Sequence, residues 1–149
     1  LAGPSITVRN LQRRVPVDLR WLRRFAAVGL EECGKISADR KFALRACAEV
    51  SVAIVSDRRS AEIHEEFMGI AGPTDVITFE HGDIVISAET ARAYAARYRQ
   101  PVDREIALYI VHGLLHLNGF DDREPRSRRR MHEVQARVLR TCLRAVRTG

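Results

Sequence analysis

Lysine is nearly missing from this chain: of 25 basic residues only Lys35 and Lys41 are lysines, so 23 are arginines. Cysteine is scarce as well. Cys33, Cys47 and Cys142 lie far apart with no CxxC pair and cannot all bridge, which excludes a disulfide scaffold. They read as buried thiols of a reducing compartment. Aromatic residues make up 6% of the chain, and Tyr94 and Tyr98 sit at helical spacing, a pattern that predicts packing instead of base stacking. The longest apolar stretch, Ile106 to Leu117, falls short of the ~20 residues that cross a bilayer and carries two histidines. No repeat, low-complexity tract or Pro/Gly-rich linker divides the sequence. With 149 residues, 46% of them hydrophobic, a single domain over residues 1–149 with a real core is expected, and disorder is excluded. Leu1-Ala2-Gly3-Pro4 shows no signal-peptide order, so a soluble cytoplasmic protein is expected.

Charge is unevenly spread. From Arg123 onward there are nine arginines against Glu124 and Glu133, while the preceding residues nearly balance within the overall +6. Clustered guanidinium groups grip phosphates in bidentate fashion, so this segment could meet a polyanion. On its own the same pattern also fits a solvated helix face.

Periodicity predicts an α+β fold: a mixed, about four-stranded sheet packed against five or six helices. Ile6-Thr7-Val8 and Val50 to Val55 read as strands. Thr74 to Ser87 reads as a hairpin closed at His81-Gly82. Helices are predicted over Val17 to Leu30, closed by Gly34, and from a cap at Ser37 to Arg40 through Cys47. Further helices are predicted from an N-cap at Asp57 to Phe67, from a cap at Ser87 to about Arg99, and from Pro101 to Asn118 with a stop at Gly119. A last helix, Arg126 to Val146, places Met131, Val134, Val138, Cys142 and Ala145 on one side and arginines on another.

The chemistry concentrates in His112 to Asp122. His112 and His116 are four residues apart, so they share one side of a helix and can reach one metal ion at ~2.0–2.1 Å. A third ligand must come from beyond the helix, and Asn118-Gly119 provides the bend. Asp122, or with less weight Asp121, then brings a carboxylate to the ion. Three protein ligands leave a fourth position for water, the pattern of a catalytic zinc. Two histidines on an apolar helix are also often hydrogen-bonded core residues, and the glycine turn followed by a carboxylate is what favours metal. Gly113 occupies the slot where a zinc protease of the HExxH type has its general base, which argues against peptide hydrolysis.

His112-Gly113, Leu115-His116-Leu117, Gly119-Phe120 and Asp121 resemble the HGxLHLxGYDH signature of the YbeY family of bacterial endoribonucleases. Pro73 to Phe79 and Gly82 to Ser87 are similar to that family's PTDVLSF and GDIVIS strands, and Gln135 to Leu139 to its closing helix. The resemblance implies a four-stranded mixed sheet, one zinc or other divalent transition-metal ion, and cleavage of single-stranded RNA near the 3′ end of small-subunit ribosomal RNA. Ribosomal RNA and the small ribosomal subunit are then the partners, with no membrane and no DNA. The expected metal and catalytic set is His112, His116 and Asp122, and the clustered positive charge makes Arg123, Arg126, Arg130 and Arg137 the expected RNA-binding residues.

The chain departs from the pattern in three places. Asp122 stands where the family has a third histidine, Phe67-Met68 stands for a Tyr-Arg pair, and Ala71 replaces an aspartate. A carboxylate in place of an imidazole lowers the net charge of the site by one, so an activity profile shifted to higher pH is expected. The missing arginine makes an RNA-binding ribosome assembly factor, with fold and metal but no cleavage, the rival reading.

Overall fold

Alternating exposure along two β-branched stretches builds the sheet, in a computed structural model that describes residues 4–36, 44 and 47–148. Strand β1 (Ser5–Asn10) runs parallel to β2 (Glu49–Val55), which runs parallel to β4 (Asp83–Ser87). The short β3 (Val76–Thr78) pairs antiparallel with β4, so the order is β1-β2-β4-β3. The expected four-stranded mixed sheet is therefore present. Five α-helices accompany it among the described residues: α1 (Leu19–Gly34), α2 (Asp57–Met68), α3 (Ala88–Arg97), α4 (Val102–Leu117) and α5 (Pro125–Thr148). The helix expected over residues 37–47 falls largely outside the described residues.

The two faces of the sheet are covered unequally. Val50, Val52, Ile54, Ile84 and Ile86 join α1, α3, α4 and α5 in the main core. The smaller cluster of Val55, Ile77 and Val85 lies with Ile63 of α2 and with Phe79. Helix α4 is buried along most of its length, which is why it reads as a nearly continuous apolar run. Its close seat on the sheet depends on Gly113. A Cβ built there would lie 2.7 Å from Cδ1 and 3.0 Å from both γ carbons of Ile84, itself fully buried. Gly113→Ala is expected to destabilise the fold by about 1–3 kcal/mol through overpacking. Combining it with Ile84→Val, which removes the nearest methyl, should recover part of that loss in urea unfolding.

Helix ends differ from expectation in instructive ways. Ser56, not Asp57, caps α2, its side chain accepting from the Arg59 amide at 3.1 Å. The Asp57 carboxylate accepts instead from the amide and hydroxyl of Thr90 at the start of α3, each at 3.0 Å. In return Glu89 accepts from the Asp57 amide at 3.0 Å. Ser87 makes no side-chain cap; its hydroxyl donates to the Thr74 carbonyl. Tyr94 and Tyr98 are exposed, because Ala88, Ala91 and Ala95 form the inner face of α3. On α5, Val146 takes the buried position expected for Ala145.

Candidate metal centre

His112 and His116 lie where the buried face of α4 meets a cleft, and both are partly exposed. Their rings meet edge to face with centroids 4.6 Å apart, and their Nε2 atoms approach to 3.1 Å. The outer nitrogens are both occupied. Nδ1 of His112 lies 2.8 Å from the Gln135 side-chain oxygen on α5, and Nδ1 of His116 lies 3.0 Å from the Phe120 carbonyl. An oxygen acceptor at each Nδ1 fixes the proton there and turns the lone pair of each Nε2 inward.

The third group arrives through the predicted bend. Gly119 takes φ 94°, a left-handed conformation that a side chain would strain. The Gly119 and Phe120 amides donate to the His116 and Leu115 carbonyls at 3.1 and 3.0 Å, closing the helix end. The chain then turns so that Asp122 Oδ2 sits 4.0 Å from His112 Nε2 and 3.8 Å from His116 Nε2. Arg128 of α5 donates to the Asp122 carbonyl at 3.1 Å and holds that backbone. Asp121 is engaged elsewhere, accepting from the Arg123 amide at 3.1 Å and the Ser127 hydroxyl at 3.0 Å, which lowers its pKa.

Two imidazole nitrogens, each carrying a lone pair, repel at such a distance unless a proton or a cation lies between them. Burial, with the adjacent His112 adding to it, pushes the His116 pKa below its ordinary value and disfavours the proton. A cation removes the conflict. With one carboxylate added, two nitrogens and one oxygen form a donor set suited to a borderline divalent ion such as Zn²⁺. The ligand atoms of His112, His116 and Asp122 all lie within 4.8 Å of one another, so these residues could hold a metal.

The trio opens into a cleft of about 970 Å³. Arg123 lines it beside Asp122, while His64 and Met68 of α2 and Asp75, Glu80 and His81 around β3 form other parts of the wall. Of the four arginines singled out in the sequence, Arg123 is therefore in the cleft. Arg130 lies with its guanidinium 5.9 Å from the Phe120 ring centroid, close behind the bend, and Arg126 and Arg137 are exposed on α5. Gln135 and Arg128, which hold His112 and the Asp122 backbone of the candidate metal centre, are not among the residues the sequence points to. The signal for Gln135 was there: a polar residue inside the apolar stripe that includes Met131, Val134 and Val138. His64 also lines the cleft, and its Nδ1 lies 2.9 Å from the Gly72 carbonyl, which anchors the ring there.

Comparison with known proteins gives a consistent result. A family profile described as Endoribonuclease YbeY matches residues 8–142. A protein of Desulfitobacterium hafniense named Endoribonuclease YbeY is 34% identical, over 83% of this chain and 94% of its own length. One of the same name from an Anaeromyxobacter species is 39% identical over 64% of this chain, and one from Frankia casuarinae is 34% identical over 62%. This chain spans just over half of those two relatives, 55% and 56% of their lengths. Among solved structures, the solution structure of a Thermotoga maritima protein superposes with a TM-score of 0.64 at 26% identity, covering 95% of this chain and 93% of that one.

Proposed function

The chain belongs to the endoribonuclease YbeY family, and we propose that it is a metal-dependent endoribonuclease that cleaves single-stranded RNA. Its proposed substrate is the 3′ end of small-subunit ribosomal RNA, met on the ribosomal subunit in the cytoplasm, where it serves rRNA maturation and ribosome quality control. The carrying observation is the convergence of two inward-turned imidazoles and one carboxylate in an open cleft beside an arginine. No helix among the described residues is long and apolar enough to cross a membrane.

His112, His116 and Asp122 would hold a single divalent ion, with zinc the first choice for this donor set. Such an ion supplies Lewis-acid polarisation of a phosphoryl oxygen and acidification of water. The rest of the chain binds and orients. Gln135 and the Phe120 carbonyl keep the imidazoles in one tautomer. Arg123 offsets phosphate charge within the cleft, and Arg126, Arg130 and Arg137 extend a cationic path for the backbone along α5. Met68 brings no charge to the α2 wall, so Arg123 carries the greater part of the cleft's affinity for phosphate.

The test is metal-replete protein incubated with precursor ribosomal RNA. Cleavage that disappears in His116→Ala supports the enzyme. Tight binding with the RNA left intact supports the assembly-factor reading, to which Met68 lends weight. The carboxylate ligand also sets a pH expectation. Asp122→His makes the site more positive by one charge and so a stronger acidifier. The pH–rate profile of the natural protein should therefore lie to the alkaline side of that variant's; coincident profiles would show that Asp122 does not ligate the ion.

A further inference from the structure

The tight connection between β3 and β4 holds more than a reversal of the chain. Its backbone is firmly fixed: Gly82 donates to the Phe79 carbonyl at 2.9 Å, Phe79 to the Asp83 carbonyl at 2.8 Å, and Ser51 of β2 to the Gly82 carbonyl at 2.9 Å. Gly82 sits at φ 115°, and a Cβ there would come within 2.5 Å of the Glu49 carbonyl oxygen, so this turn is seated hard against β2. On it stands His81, whose side chain is 70% exposed. An exposed ring is ordinarily free to rotate. This one is held on its edge and on one face.

Nε2 of His81 lies 2.6 Å from Asp83 Oδ2. The ring stacks on Phe79 with centroids 5.7 Å apart and planes inclined by 28°. Phe79 in turn meets Phe67 edge to face with centroids 5.5 Å apart, and packs against the small core under α2. His81 therefore has one face covered by Phe79, while its high exposure leaves area open in the same cleft that holds His112, His116 and Asp122. Resting on the RNA-cleaving reading given above, we propose that the imidazole of His81 is a stacking ledge for one nucleobase of the single-stranded substrate, fixing the register of the chain in the cleft.

Charge decides which part of a nucleotide meets this wall. Glu80 and Asp75 line it and Asp83 holds the imidazole, so phosphates are repelled there. Arg123 lines the cleft next to the metal centre and attracts them. A strand entering the cleft thus turns its bases toward the β3–β4 turn and its backbone toward the arginine. Stacking suits this task, because every base offers a flat face and a ring already held in place loses little freedom on binding.

The experiment uses metal-replete protein and a short single-stranded 2′-O-methyl oligoribonucleotide, with affinity read by fluorescence anisotropy. With the loss of one stacked base, His81→Ala is expected to weaken binding by about 5- to 150-fold, with metal content and circular dichroism unchanged. His81→Phe keeps the plane and should stay within about threefold of the natural protein. Removing single bases along the oligonucleotide should reveal one position whose loss matches that of His81→Ala and adds nothing in that variant. Equal affinity of His81→Ala, a His81→Phe loss as large as that of alanine, or abasic penalties that are the same in both proteins would each overturn the ledge. If the natural protein itself neither binds nor cuts single-stranded RNA, the functional reading fails and the ledge with it.

Discussion

Metal retention in His116→Ala is expected to fall by well over the ~10–100-fold that losing an outer support of a metal ligand costs, with RNA cleavage falling in parallel. Among the described residues the substitution removes one of the two nitrogens of the donor set and leaves His112 with Asp122. Gln135→Ala provides the graded comparison. It keeps all three ligating groups but frees Nδ1 of His112 from its acceptor at 2.8 Å, so a loss within the ~10–100-fold range is expected. Elemental analysis after dialysis against a weak chelator reads both. If His116→Ala holds its metal as tightly as the natural protein, the ion is not where the inward-turned imidazoles place it. His116 also carries a sign that can be checked. Its folded pKa lies below the unfolded value of ~6.5, so the unfolded chain takes up the proton first. Metal-free protein should therefore lose stability as pH falls from about 6.5 through the depressed folded value, and this acid limb should be shallower in His116→Ala.

Asn118→Ala is expected to destabilise the protein by about 2–4 kcal/mol. Asn118 is only 2% exposed, and its amide joins three backbone groups. Its oxygen accepts from the Leu44 amide at 2.6 Å, and its nitrogen donates to the Cys33 carbonyl at 2.7 Å and to the Ile36 carbonyl. Alanine would take their Asn118 partner from the Leu44 amide and the Ile36 carbonyl, while the Cys33 carbonyl keeps its bond from the Ile36 amide at 3.2 Å; the cost is ~1–3 kcal/mol for each group that remains buried without a partner. Asn118→Asp keeps the bond to Leu44 but loses both donations and faces two carbonyls with negative charge, so it should be no better. Urea unfolding checks both. A shift below about 1 kcal/mol would mean that water takes over the bonds, and that Asn118 does not join α4 to α1.

What could be read from the sequence was whatever depends on neighbours along the chain. The two histidines share a side of α4 because the helical period demands it, and Gly119 with Asp122 follows from the chemistry of helix ends. The β3–β4 hairpin is equally local. Features set by distant partners were out of reach. Asp57 looks like a cap from its neighbours, yet Thr90 claims its carboxylate and leaves the capping to Ser56. Gly113 stood out for the general base it lacks, whereas its constraint in the fold is Ile84, contributed by β4. Strand order was hidden because β2 pairs in parallel with β4, past the intervening β3. Asn118 read as part of a turn and proved to be a buried junction, since Leu44, Cys33 and Ile36 are remote in sequence. His81 read as a connector; its stacking on Phe79 and its grip by Asp83 emerge only in three dimensions.

The exchange of bonds between Asp57 and the start of α3 bears on how the cleft can breathe. Helix α2 buries little of itself, with Ser60 its one fully enclosed residue, so apolar contact alone would let it swing. Each helix instead supplies the acceptor for the other's first turn, and neither can lift away without stranding amides at both starts. The two therefore form one cooperative unit at their leading ends. Widening of the cleft on its α2 side has to come from the trailing end of that helix and the residues just after it, where Phe67, Met68 and Ile70 are already exposed to water.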